Sequence, residues 1–212
     1  MDIKKDEMTP KERMKAFGEG KEIDRIPCSP QMGVTMAPFI GATTSEYYHS
    51  AEVMARLEIE LFKKLRHDSV GVGMSLRGIA EAMGTKLAYP ENGISYVEEP
   101  ILKDINNLSK LTPLDPDKDG TIPRRLEALK RVKDELGDQV DVGSDIPGPF
   151  SAAAAVMGTD NFLKNVLINP DKIHDLLKIV TESNLRIINK LREIDVGLCI
   201  SDPVASTSII RA

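Results

Sequence analysis

The chain has 212 residues, with 28 Lys and Arg against 33 Asp and Glu, a formal net charge of −5 and 41% hydrophobic residues. That length suits one large domain or two small ones, and the apolar share is ordinary for a globular protein, which excludes extensive disorder. Lys and Glu are mixed along the helical stretches rather than gathered into a basic face, so nucleic acid is excluded as a partner in favour of small molecules or another protein.

Met1 to Glu7 has no apolar core segment, and no stretch approaches the roughly 18 apolar residues of a membrane span, so a cytoplasmic protein without membrane segments is expected. Thr9-Pro10-Lys11-Glu12 predicts a helix start in which Thr9 caps, Pro10 fills the first turn and Glu12 reaches back; the helix ends near Gly18. Asp24 to Met32 reads as the first strand, short in ladder because Pro27 and Pro30 lack donors. Gly33 to Ser50 shows no period and predicts a long loop with short helical turns over a pocket.

From Ser50, Val53, Leu57, Leu61 and Leu65 recur every four residues, with Met54 and Phe62 beside them and Arg56, Glu60, Lys63 and Lys64 turned to water. Ser69 to Ser75 follows as the second strand, and Gly71 and Gly73 imply close packing against its backbone. Leu87 to Val97 predicts a hairpin, with Asn92-Gly93 supplying positive-φ positions for a tight turn. Thr121 starts a helix with Leu126, Leu129, Val132 and Leu136 on one face, closed by Gly137 and leading into a strand at Val140.

Ser151 and four alanines to Ala155 form a helical stretch of little bulk, which either brings the helix close to the sheet or leaves room for a ligand. Asn169-Pro170 opens the longest helix, with Ile173, Leu176, Leu177, Val180, Ile187, Leu191 and Ile194 at helical spacing. It delivers the chain to Val196–Ile200, an apolar run of buried-strand length stopped by Ser201-Asp202-Pro203. Cys28 and Cys199 lie far apart in apolar, strand-like contexts without CxxC spacing, the pattern of buried reduced thiols.

Alternating strands and helices favour a parallel sheet with right-handed crossovers. Only about four main strands can be counted, half of the eight in a closed barrel, so the last strand should carry an unpaired edge that further chain or a partner subunit covers. Two strands end in Asp and then Pro, which puts Asp145 and Asp202 at the carboxyl edge of the sheet as candidate catalytic groups, with capping as the alternative role.

Ser201 and Ser206 are candidates to bind ligand or to cap, and Gln31 and Met32 to line the mouth. Arg77 is placed to hold an anionic group or to be salt-bridged at the surface. His49, in the covering loop, is the histidine to test; His67 falls at the amino end of the second strand and His174 on a helix surface. Gly71 and Gly73 lack the third glycine of a dinucleotide fingerprint.

Met8-Thr-Pro-Lys-Glu-Arg-Met-Lys-Ala-Phe17, Asp24-Arg-Ile-Pro27, Gly148-Pro-Phe-Ser151, Asn169-Pro170 and Asp202-Pro-Val-Ala-Ser206 together resemble the uroporphyrinogen decarboxylase superfamily. Within it they are most similar to the cobamide-dependent (methylcobamide:coenzyme M) methyltransferase branch. The resemblance spans residues 1–212 but only the first part of the family's length. It implies the amino-terminal half of a (β/α)8 TIM barrel with a funnel at the carboxyl ends of the strands.

Decarboxylases of the family carry an arginine-rich motif after the first strand, where this chain reads Pro27-Cys-Ser-Pro-Gln-Met-Gly-Val34 with no arginine. Their aspartate after the second strand falls near Leu76, their tyrosine after Gly-Pro-Phe near Ala155, and Pro203 replaces the serine that follows their Asp202 equivalent. Methyl transfer between a corrinoid protein and a thiol or similar acceptor is therefore the expected activity of the complete protein. A porphyrinogen decarboxylase with an altered site and a non-catalytic half-barrel that associates with a partner or itself are the alternatives. The branch implies zinc and a corrinoid methyl donor, but its His-x-Cys pair is not found beside Cys28 or Cys199, so no metal ligand is carried over.

Overall fold

The structure, a computed structural model, describes residues 6–206. Helix α1 (Pro10–Gly18) starts with the expected capping box, Thr9 accepting from the Glu12 N–H while the Glu12 side chain returns to Thr9. A 3-10 helix over Val34–Ile40 and α2 (Thr44–His49) make up the loop region, and Ser50 caps α3 (Ala51–Leu65). Strand β1 (Ser69–Gly71) leads to α4 (Leu76–Ala82), and β2 (Lys86–Ala88) pairs antiparallel with β3 (Tyr96–Glu99). A second 3-10 helix (Ile105–Lys110) precedes α5 (Ile122–Leu136) and β4 (Asp141–Pro147). Then come α6 (Pro149–Met157), α7 (Thr159–Ile168), α8 (Pro170–Ile194), β5 (Gly197–Ser201) and a 3-10 turn at Pro203–Ala205.

The main sheet has the order β1-β4-β5, all parallel, each successive strand reached through helices. This is a mixed α/β fold of TIM-barrel type, opened out along both edges. One face of β1 and β4 (Val70, Val142, Ile146) packs against the helices, where α3 and α5 contribute Leu57, Leu61, Leu129 and Val132 to the core. Of the two roles open to the alanine stretch, the structure shows close approach: Ala152 to Ala154 are buried, and α6 packs against α4 and α8. No helix among the described residues is long and apolar enough to cross a membrane.

Four expectations are corrected. Residues 24 to 32 form no strand; one backbone bond, Asp68 N–H to the Cys28 carbonyl at 2.8 Å, is made before Pro30, and Pro27 and Pro30 have no N–H to extend it. The hairpin is present, but neither Asn92 nor Gly93 has positive φ. Its longer loop is held from outside instead, with Thr44 Oγ1 accepting from the Gly93 N–H at 2.7 Å and the Tyr48 hydroxyl accepting from the Ser95 N–H at 3.2 Å.

The run Val196–Ile200 does form a strand, yet all five residues of β5 are exposed, with Leu198 at 42% and Ile200 at 56%. β5 pairs with β4 on one side only, and no element among the described residues follows it to cover its other edge. Cys28 and Cys199 are likewise exposed rather than buried, because one lies in the unpaired segment and the other on that edge strand.

Candidate functional site

Period-two alternation puts Asp141, Gly143 and Asp145 of β4 on the face opposite the helices. The parallel register lines them up across the sheet: Ser69 with Asp141, then Gly71 with Gly143 and Gly197, then Asp145 with Cys199. A closed barrel fills these inward layers with bulky branched side chains, whereas here the middle layer is glycine on three adjacent strands. The outcome is a trough of about 680 Å3 with a floor of bare backbone, walled by Gln31, Met32, Glu58 and His67 on the β1 side and by Leu198 and Cys199 on the β5 side.

Asp145 is positioned by what is missing opposite it. A Cβ at residue 73 would lie 2.2 Å from Asp145 Oδ1, so glycine there is what lets the carboxylate lie across the strand, while the Asp145 carbonyl accepts from the Met74 N–H at 2.8 Å. Asp202 is used differently. Its carboxylate accepts from the Phe150 N–H (3.1 Å), the Ser151 N–H (2.7 Å) and the Ser151 hydroxyl, closing the first turn of α6 as a cap supplied from the next strand end. It fills the space beside Gly148, where a Cβ would come within 2.3 Å of Oδ2. The two aspartates are therefore at the same sheet edge, one lining the trough and the other engaged by the α6 backbone.

Gln31 and Met32 line the trough. Ser201 is exposed and its carbonyl accepts from the Gly148 N–H at 2.7 Å, while Ser206 is the last described residue, half-buried beyond the Pro203–Ala205 turn. Arg77 lies in the first turn of α4, half-buried and outside the trough lining. His49 ends α2 with Nδ1 2.7 Å from the Ser45 carbonyl and its ring edge-on to Tyr89, so it does not reach the trough.

Two groups missing from the expected set do line it. Glu58, only 5% exposed, forms no side-chain hydrogen bond or ion pair with another side chain among the described residues, and burial raises its pKa to about 7 against the partial offset of the Gly71 N–H. His67, 4% exposed, has an Nδ1 with no hydrogen-bond partner, and burial lowers its pKa, so the ring is held neutral. The signal for Glu58 was in the spacing: it stands four residues after Met54 and four before Phe62, on the packing stripe of α3. Above them the Tyr47 phenol is pushed up to about 12 by burial, with Arg125 opposing that shift and Glu58 and Asp145 adding to it. Arg125 donates to the Gly73 carbonyl at 2.7 Å and to Thr121 Oγ1 at 3.3 Å.

Zinc, implied by the resemblance, needs three or four converging Cys, His or carboxylate ligands. Among the described residues no three such groups come together to hold an ion. The described residues do not fit a zinc site.

The fold and site thus define a parallel α/β protein of barrel type with an acidic trough across the inward face of its sheet. The family profile described as uroporphyrinogen decarboxylase (URO-D) matches residues 9–211, and the chain belongs to that family. Similar proteins include the methylcobamide:CoM methyltransferase MtaA of Methanosarcina barkeri, 29% identical over 210 residues, covering 96% of this chain and 61% of the relative. The methylcobamide:CoM methyltransferase MtbA of Methanosarcina mazei is 28% identical over 212 residues with the same coverage. A solved methyltransferase from Methanosarcina mazei superimposes with a TM-score of 0.83 at 26% identity, over 97% of this chain and 62% of that one. The chain thus spans about three-fifths of the length of the relatives it matches.

Proposed function

We propose that this chain forms the amino-terminal portion of a barrel that transfers a methyl group between a corrinoid protein and a thiol or similar acceptor. The carrying observation is similarity along 96% of the chain to proteins named methylcobamide:CoM methyltransferases. The trough's charge favours the same reading over porphyrinogen decarboxylation. Glu58, Asp141 and Asp145 line it and no lysine or arginine does, so a substrate bearing several carboxylates would meet like charge without a counter-ion. In this reading Asp145, with Gln31 and Met32, contacts the small-molecule substrate, and Asp202 holds the α6 end of the site in place. The exposed edge of β5 supports covering by further chain or by a second copy, as an open parallel sheet requires.

The test is an assay of the purified protein with methylcobalamin and a thiol, following loss of the methyl–cobalt absorbance. Methyl transfer that needs the thiol supports the reading. Carbon dioxide release from a porphyrinogen without methyl transfer would overturn it.

A further inference from the structure

Arg13 and Arg125 are the buried arginines among the described residues, and their surroundings differ. Arg13 is paired with Asp24 and Asp68. Arg125, 5% exposed, is in no ion pair among the described residues; Nε donates to Thr121 Oγ1 and Nη1 to the Gly73 carbonyl, and Nη2 makes no hydrogen bond. A guanidinium taken out of water without a counter-ion is costly to fold around. A second unused donor lies near it. Tyr47 is also 5% exposed, and its hydroxyl makes no hydrogen bond among the described residues. Arg124 donates to the Tyr48 carbonyl at 2.9 Å, which pins the first turn of α5 to the end of α2 and so holds Arg125 and Tyr47 at one place. Of the charges acting on the Tyr47 hydroxyl, that of Arg125 is the strongest, ahead of Glu58 and Asp145.

Both donors reach open space. The polar atoms that lack a partner and are sealed from solvent are His67 Nδ1, Glu81 Oε2 and Asn184 Oδ1, and neither the Tyr47 hydroxyl nor Arg125 Nη2 is among them. Space for the guanidinium comes from a glycine in α4, since a Cβ at Gly78 would lie 3.4 Å from Arg125 Nε. Arg77, beside Gly78, is half-buried and has no ion pair among the described residues, so it adds a second uncompensated cation to this edge of the sheet.

We propose that Arg125 and Tyr47 form a binding site for one oxyanion group of a small molecule, a carboxylate or a sulfonate, just beyond the carboxyl end of β1. Such a group accepts from Arg125 Nη2 and from the Tyr47 hydroxyl together, and a hydrogen bond between a guanidinium and an anionic oxygen is of the strong, charge-assisted kind. It also supplies the counter-ion that Arg125 lacks. Asp145 and Glu58 lie on the trough side of the site and limit the ligand to a single such charge there. The proposal stands apart from the methyl-transfer reading, since binding is read on this chain without turnover.

The experiment is a nuclear magnetic resonance titration of the full chain at constant ionic strength with sodium acetate and with sodium methanesulfonate, and with methylammonium chloride as the matched cation. Saturable shifts centred on Tyr47, Gly73 and Arg125 are expected with the anions and not with methylammonium, and the tighter anion identifies the head group. Arg125→Gln should weaken that binding by at least about tenfold, and Tyr47→Phe by roughly three- to tenfold. If Arg125→Gln fails to fold, Tyr47→Phe decides alone, because it keeps the ring that packs edge-on to Tyr48 and removes only the hydroxyl. No saturable shift with either anion, the same shifts with methylammonium, or unchanged affinity in Tyr47→Phe would each overturn the proposal.

Discussion

At the amino end of β1, Arg13 is fully buried and donates to both Asp24 and Asp68, Arg25 adds a second cation to Asp68, and the Met8 carbonyl takes a remaining Arg13 donor. On α3, beside Gly71 at the other end of the same strand, Glu58 is nearly as buried and has no cation among the described residues. The chain therefore builds complete ion networks where it needs rigidity, tying α1 to the start of the sheet. Beside the trough it leaves the Glu58 carboxyl without a cation. Where Asp68 is shared by two guanidinium groups, Glu58 has only the Gly71 N–H to offset its burial among the described residues.

The two ends respond to change in opposite directions. Replacing Arg13 with Met should have the largest effect, a loss of about 3–5 kcal/mol, because it leaves Asp24 without its guanidinium partner and the fully buried Asp68 with Arg25 alone. Chemical denaturation at neutral pH reads it. The Arg13 hydrogen bond holds the Asp24 carboxyl well below the usual carboxylate range, so its stabilisation is present above about pH 4 and lost as pH falls further.

Glu58→Gln should instead stabilise the protein. The unfolded chain loses the Glu58 proton near pH 4.5 and the folded chain holds it to about 7, so the folded state binds more protons in that window and stability falls across it. Above the window the penalty is complete, at most on the order of 3 kcal/mol. Denaturation midpoints should show Glu58→Gln ahead of the unsubstituted chain at pH 8, with the gap closing towards pH 5. A constant gap would indicate a packing effect instead.

Gly71→Ala sharpens the comparison at the trough floor. The added Cβ would stand 1.9 Å from the Gly143 carbonyl oxygen, so the β1–β4 ladder must shift, at about 1–3 kcal/mol. The smallest effect belongs to Asp202→Ala, about 1 kcal/mol for a lost helix cap, read as earlier thermal unfolding. If Asp202 also contacts substrate, activity will fall further than that loss of stability accounts for.

Much of this fold was legible where side-chain periodicity and end signals agree. The Thr9 capping box, the α3, α5 and α8 stripes and the strands at Ser69, Val140 and Val196 all follow from local residues. The first strand was misread because its sequence is extended and apolar, yet ladder formation depends on donors that Pro27 and Pro30 lack and on a partner edge. Exposure of β5 and of both cysteines depends on what lies beside them, which a single strand cannot reveal. Of the site, Asp145 and its edge position were legible. The glycine row was not, because it exists only once Gly71, Gly143 and Gly197 are brought into register. Glu58 was hidden by its residue type, since a glutamate on an amphipathic helix reads as surface.

The account turns on Glu58 being buried, unpaired and open to the trough. Carbon-13 labelling of glutamate carboxyls, with the Glu58 signal identified by its loss in Glu58→Gln, allows that group to be titrated directly. A midpoint near 7 is the predicted result. A midpoint near 4.5 would show a solvated or already paired carboxylate and would contradict it.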